Sequence, residues 1–387
     1  MTYDKNSKKA LALHKKLKGK IIVTGKVKNL KASEIKLIYT PGVAAVCEEI
    51  YHHPEKKYDL TSKGNNVAIV TDGTRILGLG NIGPYAALPV MEGKAVLYQE
   101  FGQVSAFPIC LATTKKEEII TAVKAIEPAF GAINLEDIES PKVLEVSDEL
   151  TKSLSIPVFH DDRHGTSVVV LAGLLNSLKL VKKKSSTIRV VVAGAGSAGY
   201  GICKLLVAAG CENLLVTDSD GIIYKGRRQN MNKYKTDIAN ITNPNREKGL
   251  LSDALQNADV FIGVSGINNL ITPQMIKEMN REPIIFALTN PDPEIKPELA
   301  KKAGARIVAT GSYLYPNKVN NALVFPHLMR VILDRKIKKI TMDLLLATSR
   351  AIAATVTDKK LHYDNIMPDM YDKKIQGNIV RAISKSR

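Results

Sequence analysis

The chain has 387 residues, 45% of them hydrophobic, enough for two or three domains with ordinary buried cores. No apolar run reads as long enough to span a bilayer, and the charged N-terminus lacks the apolar core of a signal peptide, so a cytoplasmic protein without a membrane partner is expected. The net charge of +17 comes from lysines scattered without an aromatic-interleaved basic motif, which argues against nucleic acid, and Cys47, Cys110, Cys203 and Cys211 form no C-x-x-C pair and read as reduced thiols.

The first periodic element is a helix over Lys8–Lys18, followed by the Pro41-Gly42 turn and a helix over Val43–Tyr51. Asn66–Val70 reads as a strand that ends in the turn Asp72–Arg75. Ala95–Tyr98, Ala106–Ala112 and Ala132–Leu135 read as further strands, with a helix over Lys115–Ile126. This alternation predicts an N-terminal α/β domain over residues 1–157. Thr166–Val181 reads as a buried apolar helix, and Lys182–Thr187 as a basic hinge. A second alternation then begins with a strand at Ile188–Ala193, a helix at Ala198–Ala209 and a strand at Asn213–Thr217. Val260–Val264, Ile284–Ala287 and Arg306–Ala309 continue it as strands. The pattern is that of a Rossmann-type doubly wound parallel sheet over residues 158–387, closed by a helical C-terminal tail in which Thr341–Ala354 is the clearest element.

The glycine pattern G-x-G-x-x-G occurs twice. Gly194, Gly196 and Gly199, with Ser197 and Ala198 between them, follow a strand directly and open a helix. Asp218 ends the next strand, where an acid that accepts from a ribose belongs. This copy is expected to bind a dinucleotide. Asp218 favours NAD over NADP because it repels a 2′-phosphate, while Lys225, Arg227 and Arg228 offset that preference. Gly78, Gly80 and Gly83 follow a polar turn, and Pro84 and Pro89 interrupt what comes after. They read as a structural loop lining a substrate cleft.

Two acidic pairs, Glu136–Asp137 and Asp161–Asp162, each follow an apolar strand. Carboxylates crowded at one sheet edge suit a hard divalent cation such as Mg²⁺ or Mn²⁺, although each pair alone also suits a helix cap or a solvated turn. Tyr39, Arg75, Lys94, Asn290 and Asn321 are ordinary on sequence chemistry alone: packing, a solvated turn, a surface turn, and two turn formers.

Taken together, the motifs Tyr39-Thr-Pro-Gly-Val-Ala, Val70-Thr-Asp-Gly-Thr-Arg75, Pro89-Val-Met-Glu-Gly-Lys94, Asn134-Leu-Glu-Asp137, His160-Asp-Asp162, the second glycine pattern and Asn290-Pro-Asp-Pro-Glu294 resemble the malic enzymes in their short prokaryotic form. The resemblance covers nearly the whole chain. It implies oxidation of L-malate by NAD or NADP, then decarboxylation to pyruvate. Glu136, Asp137 and Asp162 would hold the cation, and Arg75, Asn290 and Asn321 would grip the substrate. Asn290 would also touch the cofactor. Lys94 would be the general base, Asp161 its tuner, and Tyr39 the acid that protonates C3. A homodimer is implied as well. Arg163 stands where a Gln is expected, His327 where a Gly is expected, and Ile267-Asn268-Asn269 replaces an Ala-Pro-Gly turn. Three other readings compete: an oxaloacetate decarboxylase on the same scaffold, a malolactic enzyme (disfavoured by the short chain), and a non-catalytic nucleotide sensor.

Overall fold

A computed structural model describes residues 4–385. Met1–Tyr3, part of the N-terminus read above, and Ser386–Arg387, part of the 158–387 expectation, lie outside the described residues.

Two parallel sheets organise the chain. The first contains β1 (Asn66–Thr71), β2 (Ser105–Cys110), β3 (Ala132–Leu135) and β4 (Val158–His160) in the order β2-β1-β3-β4. All its pairings are parallel, so all four strands end at one edge. The second contains β5 (Arg189–Ala193), β6 (Asn213–Asp218), β7 (Gly221–Ile222), β8 (Val260–Gly263), β9 (Ile284–Ala287) and β10 (Ile307–Thr310) in the order β10-β9-β8-β5-β6-β7. Only β7 runs antiparallel. The order reverses between β5 and β8, which opens a crevice at the strand C-termini, the place where such sheets bind ligands. The central strands are buried on both faces, as parallel strands covered by helices must be. The first sheet includes Val158–His160 and so runs past residue 157.

The Thr166–Val181 helix is as expected. It packs against the Ser197–Ala208 and Met342–Thr355 helices, and Asn176 in its middle donates to Ala353 O and Ile366 O at 3.0 and 2.9 Å, tying the tail to the core. One expectation changes here. The π-helical turn Asp161–Gly165 runs straight into this helix, making a continuous 21-residue segment, Asp161–Val181, with mean hydropathy 1.3, long and apolar enough to cross a membrane. It is 78% buried inside the protein, so neighbouring helices already cover its apolar surface.

Ala95–Tyr98 is not a strand. It lies within a 20-residue helix, Gly83–Gly102, whose buried residues Ala87, Met91, Lys94, Ala95, Tyr98 and Gly102 follow helical spacing. Pro84 sits in the first turn, where its missing N–H costs nothing, and Pro89 is accommodated inside. The glycine loop Gly78–Gly83 therefore also opens a helix.

Candidate active site

In the first sheet Leu135 of β3 stands beside His160 of β4. The next residues of the two strands, Glu136 and Asp161, therefore emerge side by side at the common edge. Lys94 enters between them from the Gly83–Gly102 helix. Its Nζ lies 2.6 Å from Asp161 Oδ2 and 2.8 Å from Glu136 Oε2, and 4.0 Å from the centre of the Phe325 ring. Lys94 is buried, not a surface turn. One helical turn on, Tyr98 donates from its hydroxyl to Asn134 Oδ1 at 2.7 Å, and Asn134 Nδ2 donates to Glu136 Oε2 at 2.9 Å. Asn321 Nδ2 donates to Asp161 Oδ2 from the other side. Asp161 Oδ1 is buried and has no partner among the described residues.

Burial opposes charge on all three groups. It pushes Glu136 well above the usual carboxylate range against the pull of Lys94, and it raises Asp161 against the same pull. It would also lower Lys94, but Asp161 and Glu136 outweigh it and hold the ammonium above the normal lysine range. With these partners Lys94 is a cation. It becomes a base only when its carboxylates are neutralised by something else.

Arg75 reaches the same edge through a turn locked by Asp72. Asp72 Oδ1 accepts from Thr74 N and Oγ1 at 3.0 and 2.6 Å, and its Oδ2 accepts from Lys142 Nζ at 2.7 Å. Arg75 N then donates to Asp137 O at 3.1 Å. A cavity of about 300 Å³ is lined by Arg75, Glu136, Asp137, Asp162, Asn290 and Asn321. Burial, and next the charge of Asp162, push Asp137 up to about 7. These six residues are thus brought together as expected. Among the described residues, however, no three His, Cys, Asp or Glu side chains stand close enough to hold an ion as they are.

Beside this cavity lies a cleft of about 940 Å³ at the reversal point of the second sheet, lined by Gly194, Ala195, Gly196 and Asp218. Arg75 and Val264 line both spaces, so the two communicate. Gly194 has φ +113°, and a Cβ there would meet Val264 O at 2.7 Å. At Gly199 a Cβ would stand 1.9 Å from Gly194 O, so only glycine lets the Ser197–Ala208 helix pack on its strand. Gly196 faces open space, with nothing nearer than 3.9 Å. Ser197 Oγ, buried in the first helical turn with Ala198 beside it, has no partner among the described residues. Open backbone, a helix N-terminus and an unpaired hydroxyl make a seat for a pyrophosphate. In the other glycine loop, a Cβ at Gly78 would stand 2.9 Å from Pro291 Cδ, and Leu77 lines the acidic cavity, as expected of a cleft wall.

Tyr39 is not at this edge. It caps the Ala32–Ile38 helix, is 69% exposed, and is absent from the residues lining either space. Arg163, expected beside the acids, turns away. Its Nη1 lies 2.9 Å from Asp148 Oδ1, and its guanidinium lies 5.0 Å from the Tyr200 ring. His327 is buried near Phe101, and burial lowers it to about 4. Ile267 lines the dinucleotide cleft, and Asn269 adopts the left-handed conformation at φ 51°. Sequence reasoning missed several supporting residues. Tyr98 and Asn134 hold Glu136, Phe325 lies under Lys94, and buried Glu294 clasps Thr289 beside Asn290, accepting from its amide at 3.1 Å and its hydroxyl at 2.5 Å. Asn134 lies within a quoted motif, so its place on β3 was the available signal. Phe325 carried none.

Comparison with known proteins agrees with this geometry. The malic enzyme N-terminal domain family matches residues 17–120, and the malic enzyme NAD-binding domain family matches residues 164–386. The chain is 48% identical to the bifunctional malic/malolactic enzyme of Bacillus subtilis, over 97% of this chain and 92% of that protein. It is 40% identical to the NADP-dependent malic enzyme of Escherichia coli, over 99% of this chain and 52% of that protein. The crystal structure of the NAD-dependent malic enzyme of Thermotoga maritima superposes with a TM-score of 0.92 at 48% identity, covering 97% of this chain and 98% of that one. A buried lysine between acids, a cavity open to a dinucleotide cleft, and these matches over both halves of the sequence lead to one conclusion: the chain belongs to the malic enzyme family.

Proposed function

We propose that this protein oxidises L-malate with NAD or NADP and decarboxylates the product to pyruvate, with a divalent cation, Mg²⁺ or Mn²⁺, held by Glu136, Asp137 and Asp162. The observation that carries the reading is Lys94, buried between Glu136 and Asp161 at the edge where the acidic cavity meets the dinucleotide cleft. The donor set fits a hard cation: its members are carboxylates, burial and Asp162 push Asp137 up to about 7, and beside the set Asp161 Oδ1 is a buried acceptor with no partner among the described residues. When bound, such a cation supplies Lewis-acid polarisation of the C2 oxygen and stabilises the charge that develops as CO₂ leaves.

The chain's own residues do the rest. Arg75, Asn290 and Asn321 orient the two substrate carboxylates. Lys94 would accept the C2 hydroxyl proton at Nζ, and a nicotinamide bound in the neighbouring cleft would supply the hydride acceptor for C2. Asp161 sets how readily Nζ sheds its own proton, because it is the nearest charge. Tyr39 delivers a proton to C3 after CO₂ loss. In one chain Tyr39 is exposed, and the Lys5–Leu17, Ala32–Ile38 and Val43–His52 helices around it bury no residue. Leu37, Tyr39 and Tyr51 expose large apolar surfaces there. A second copy of the chain is the occupant we assign to this surface, in a homodimer whose Tyr39 serves the partner's cavity. A cytoplasmic location and a two-unit chain are further parts of this proposal, with the boundary moved from residue 157 to beyond β4, because Val158–His160 pairs in the first sheet.

The test follows reduced nicotinamide, pyruvate and lactate together from L-malate, Mn²⁺ and either NAD⁺ or NADP⁺. Pyruvate with matching nicotinamide reduction is expected. Pyruvate from oxaloacetate alone, with no nicotinamide signal from malate, overturns the proposal in favour of a decarboxylase. A lactate product is a real second reading, because the Bacillus subtilis relative, matched over 92% of its length, carries a bifunctional malic/malolactic name. Short length therefore does not argue against it.

A further inference from the structure

Glu294 closes the Asn290-Pro-Asp-Pro-Glu294 loop and is a carboxylate with no exposed surface. Its Oε2 accepts from Thr289 N at 3.1 Å, and its Oε1 accepts from Thr289 Oγ1 at 2.5 Å. The amides of Ser265 and of Glu294 itself also favour its charge, and burial outweighs all of these donors and raises the group above its usual range. The fold vacates space for this acid. A Cβ at Gly263, the last residue of β8, would stand 2.3 Å from the carboxyl carbon of Glu294. An acid buried among neutral donors is costly, and a neutral side chain would close the loop at lower cost.

Thr289 passes the contact on. Its hydroxyl gives its one proton to Glu294, so a lone pair is left for Gly266 N, which donates to it at 3.1 Å. An ionised carboxylate accepts only, and it therefore fixes the direction of the whole chain from Gly266 through Thr289 to Glu294. The turn held in this way is the partition between the two spaces. Ser265 and Ile267 line the dinucleotide cleft, Gly266 lines the acidic cavity, and Val264 lines both. On the other side, Thr289 is the chain neighbour of Asn290, whose amide is packed on Gly311: a Cβ there would stand 2.7 Å from Asn290 Nδ2. Backbone bonds from Asn269 N to Pro293 O and from Ile271 N to Glu294 O, each at 3.1 Å, also join the two loops, but farther from Asn290.

We propose that Glu294, acting through the Thr289 hydroxyl, is a positioning residue that couples the two ligands. It sets the partition turn against the cofactor and Asn290 against the substrate as one unit, so that each ligand tightens the other. This rests on the malate and dinucleotide readings given above.

The test titrates the reduced cofactor, NADH or NADPH, by its fluorescence, with Mn²⁺ present throughout and with or without L-malate. Malate and the reduced cofactor are both in their reduced forms, so no turnover intervenes. In the wild type, malate should tighten the cofactor by roughly fivefold or more, the low end of coupling between two sites, and in Thr289→Val the tightening should shrink to less than about twofold. That variant keeps the size of the side chain and the amide bond to Glu294 and loses only the hydroxyl. Thr289→Ser, which keeps the hydroxyl, should restore the tightening, whereas a threonine needed only for packing would be replaced better by valine than by serine. Glu294→Gln, which turns one acceptor towards Thr289 into a donor, should also lose most of it. A wild type without tightening, full tightening in Thr289→Val or Glu294→Gln, or a Thr289→Ser as uncoupled as Thr289→Val each overturns the proposal. A wild type that binds neither reduced cofactor, or that oxidises no malate with NAD⁺ or NADP⁺, instead sinks the functional reading, and the proposal with it.

Discussion

Lys94 and Tyr39 stand in opposite surroundings. Lys94 touches two carboxylates and an aromatic ring, all supplied by the same chain, and is almost wholly buried. Tyr39 sits on a short helix with no buried residue and touches nothing in either cavity. The difference is one of assembly. On the proposed roles, the proton-abstracting side is finished when the chain folds, because parallel strands deliver Glu136 and Asp161 to one edge. The proposed proton-donating side would wait for a surface supplied by a second chain. Folding and association should therefore affect the two residues separately.

Replacing Lys94 carries the largest expected effect. Lys94→Met leaves Glu136 and Asp161 buried without their cation, and should cost roughly 3–5 kcal/mol of stability. Denaturant melts with and without Mn²⁺ check this, and turnover should fall below detection. A variant as stable as wild type would mean that Lys94 is not the cluster's counter-charge.

Tyr39→Phe should lower kcat by about 10²- to 10⁴-fold, the range for losing a positioned acid. Its melting temperature should stay close to wild type, because the change keeps the ring and removes only the hydroxyl. Mixing the inactive Tyr39→Phe and Lys94→Met chains under conditions that exchange subunits should restore activity, since a hybrid dimer keeps one complete site. No recovery in exchanged mixtures would place Tyr39 in the service of its own chain.

A pH effect isolates the acidic edge. Asp137 is raised to about 7, so its contribution is fully present below its unfolded value near 3.8 and is lost as pH climbs through 7. A cation that accepts the ionised form should reverse that loss. The rise in melting temperature on adding Mn²⁺ should therefore be larger at pH 8 than at pH 5, measured as a difference so that groups away from the acidic edge cancel. An equal rise at both pH values would separate the cation from Asp137.

The smallest effect is expected at Arg163. Because it pairs with Asp148 and stacks on Tyr200, Arg163→Gln should cost about 1 kcal/mol and leave Mn²⁺ affinity within about twofold of wild type, as calorimetry would show. A large change in Mn²⁺ affinity would return Arg163 to the acidic edge.

Much of this molecule is legible in its residues, and the reason is local. The Thr166–Val181 helix, the strand Ile284–Ala287 and the second glycine pattern follow from periodicity and from turn chemistry between near neighbours. Gly199 has to be glycine for a contact with Gly194, only a few positions away. Ala95–Tyr98 misled because a four-residue apolar run is the same in a strand and in a buried helix. Only the buried stripe from Ala87 to Gly102, within the 20-residue helix Gly83–Gly102, resolves it.

The chemistry of the acids, the glycines and the family motifs lies in the order of residues, and so the order determined the family and the candidate site. Which atoms meet depended on contacts distant in sequence. Lys94 reaches Asp161 across 67 positions, and Asn321 reaches it across 160. Lys235 rather than Lys225 holds Asp218, because a helix returns it to the strand end. Arg163 leaves the acids because Asp148 and Tyr200 offer it a better-paired place. Tyr39 is exposed because its apolar neighbours find no core within one chain. Motifs record which groups are available, while burial and charge pairing in three dimensions decide which of them act together.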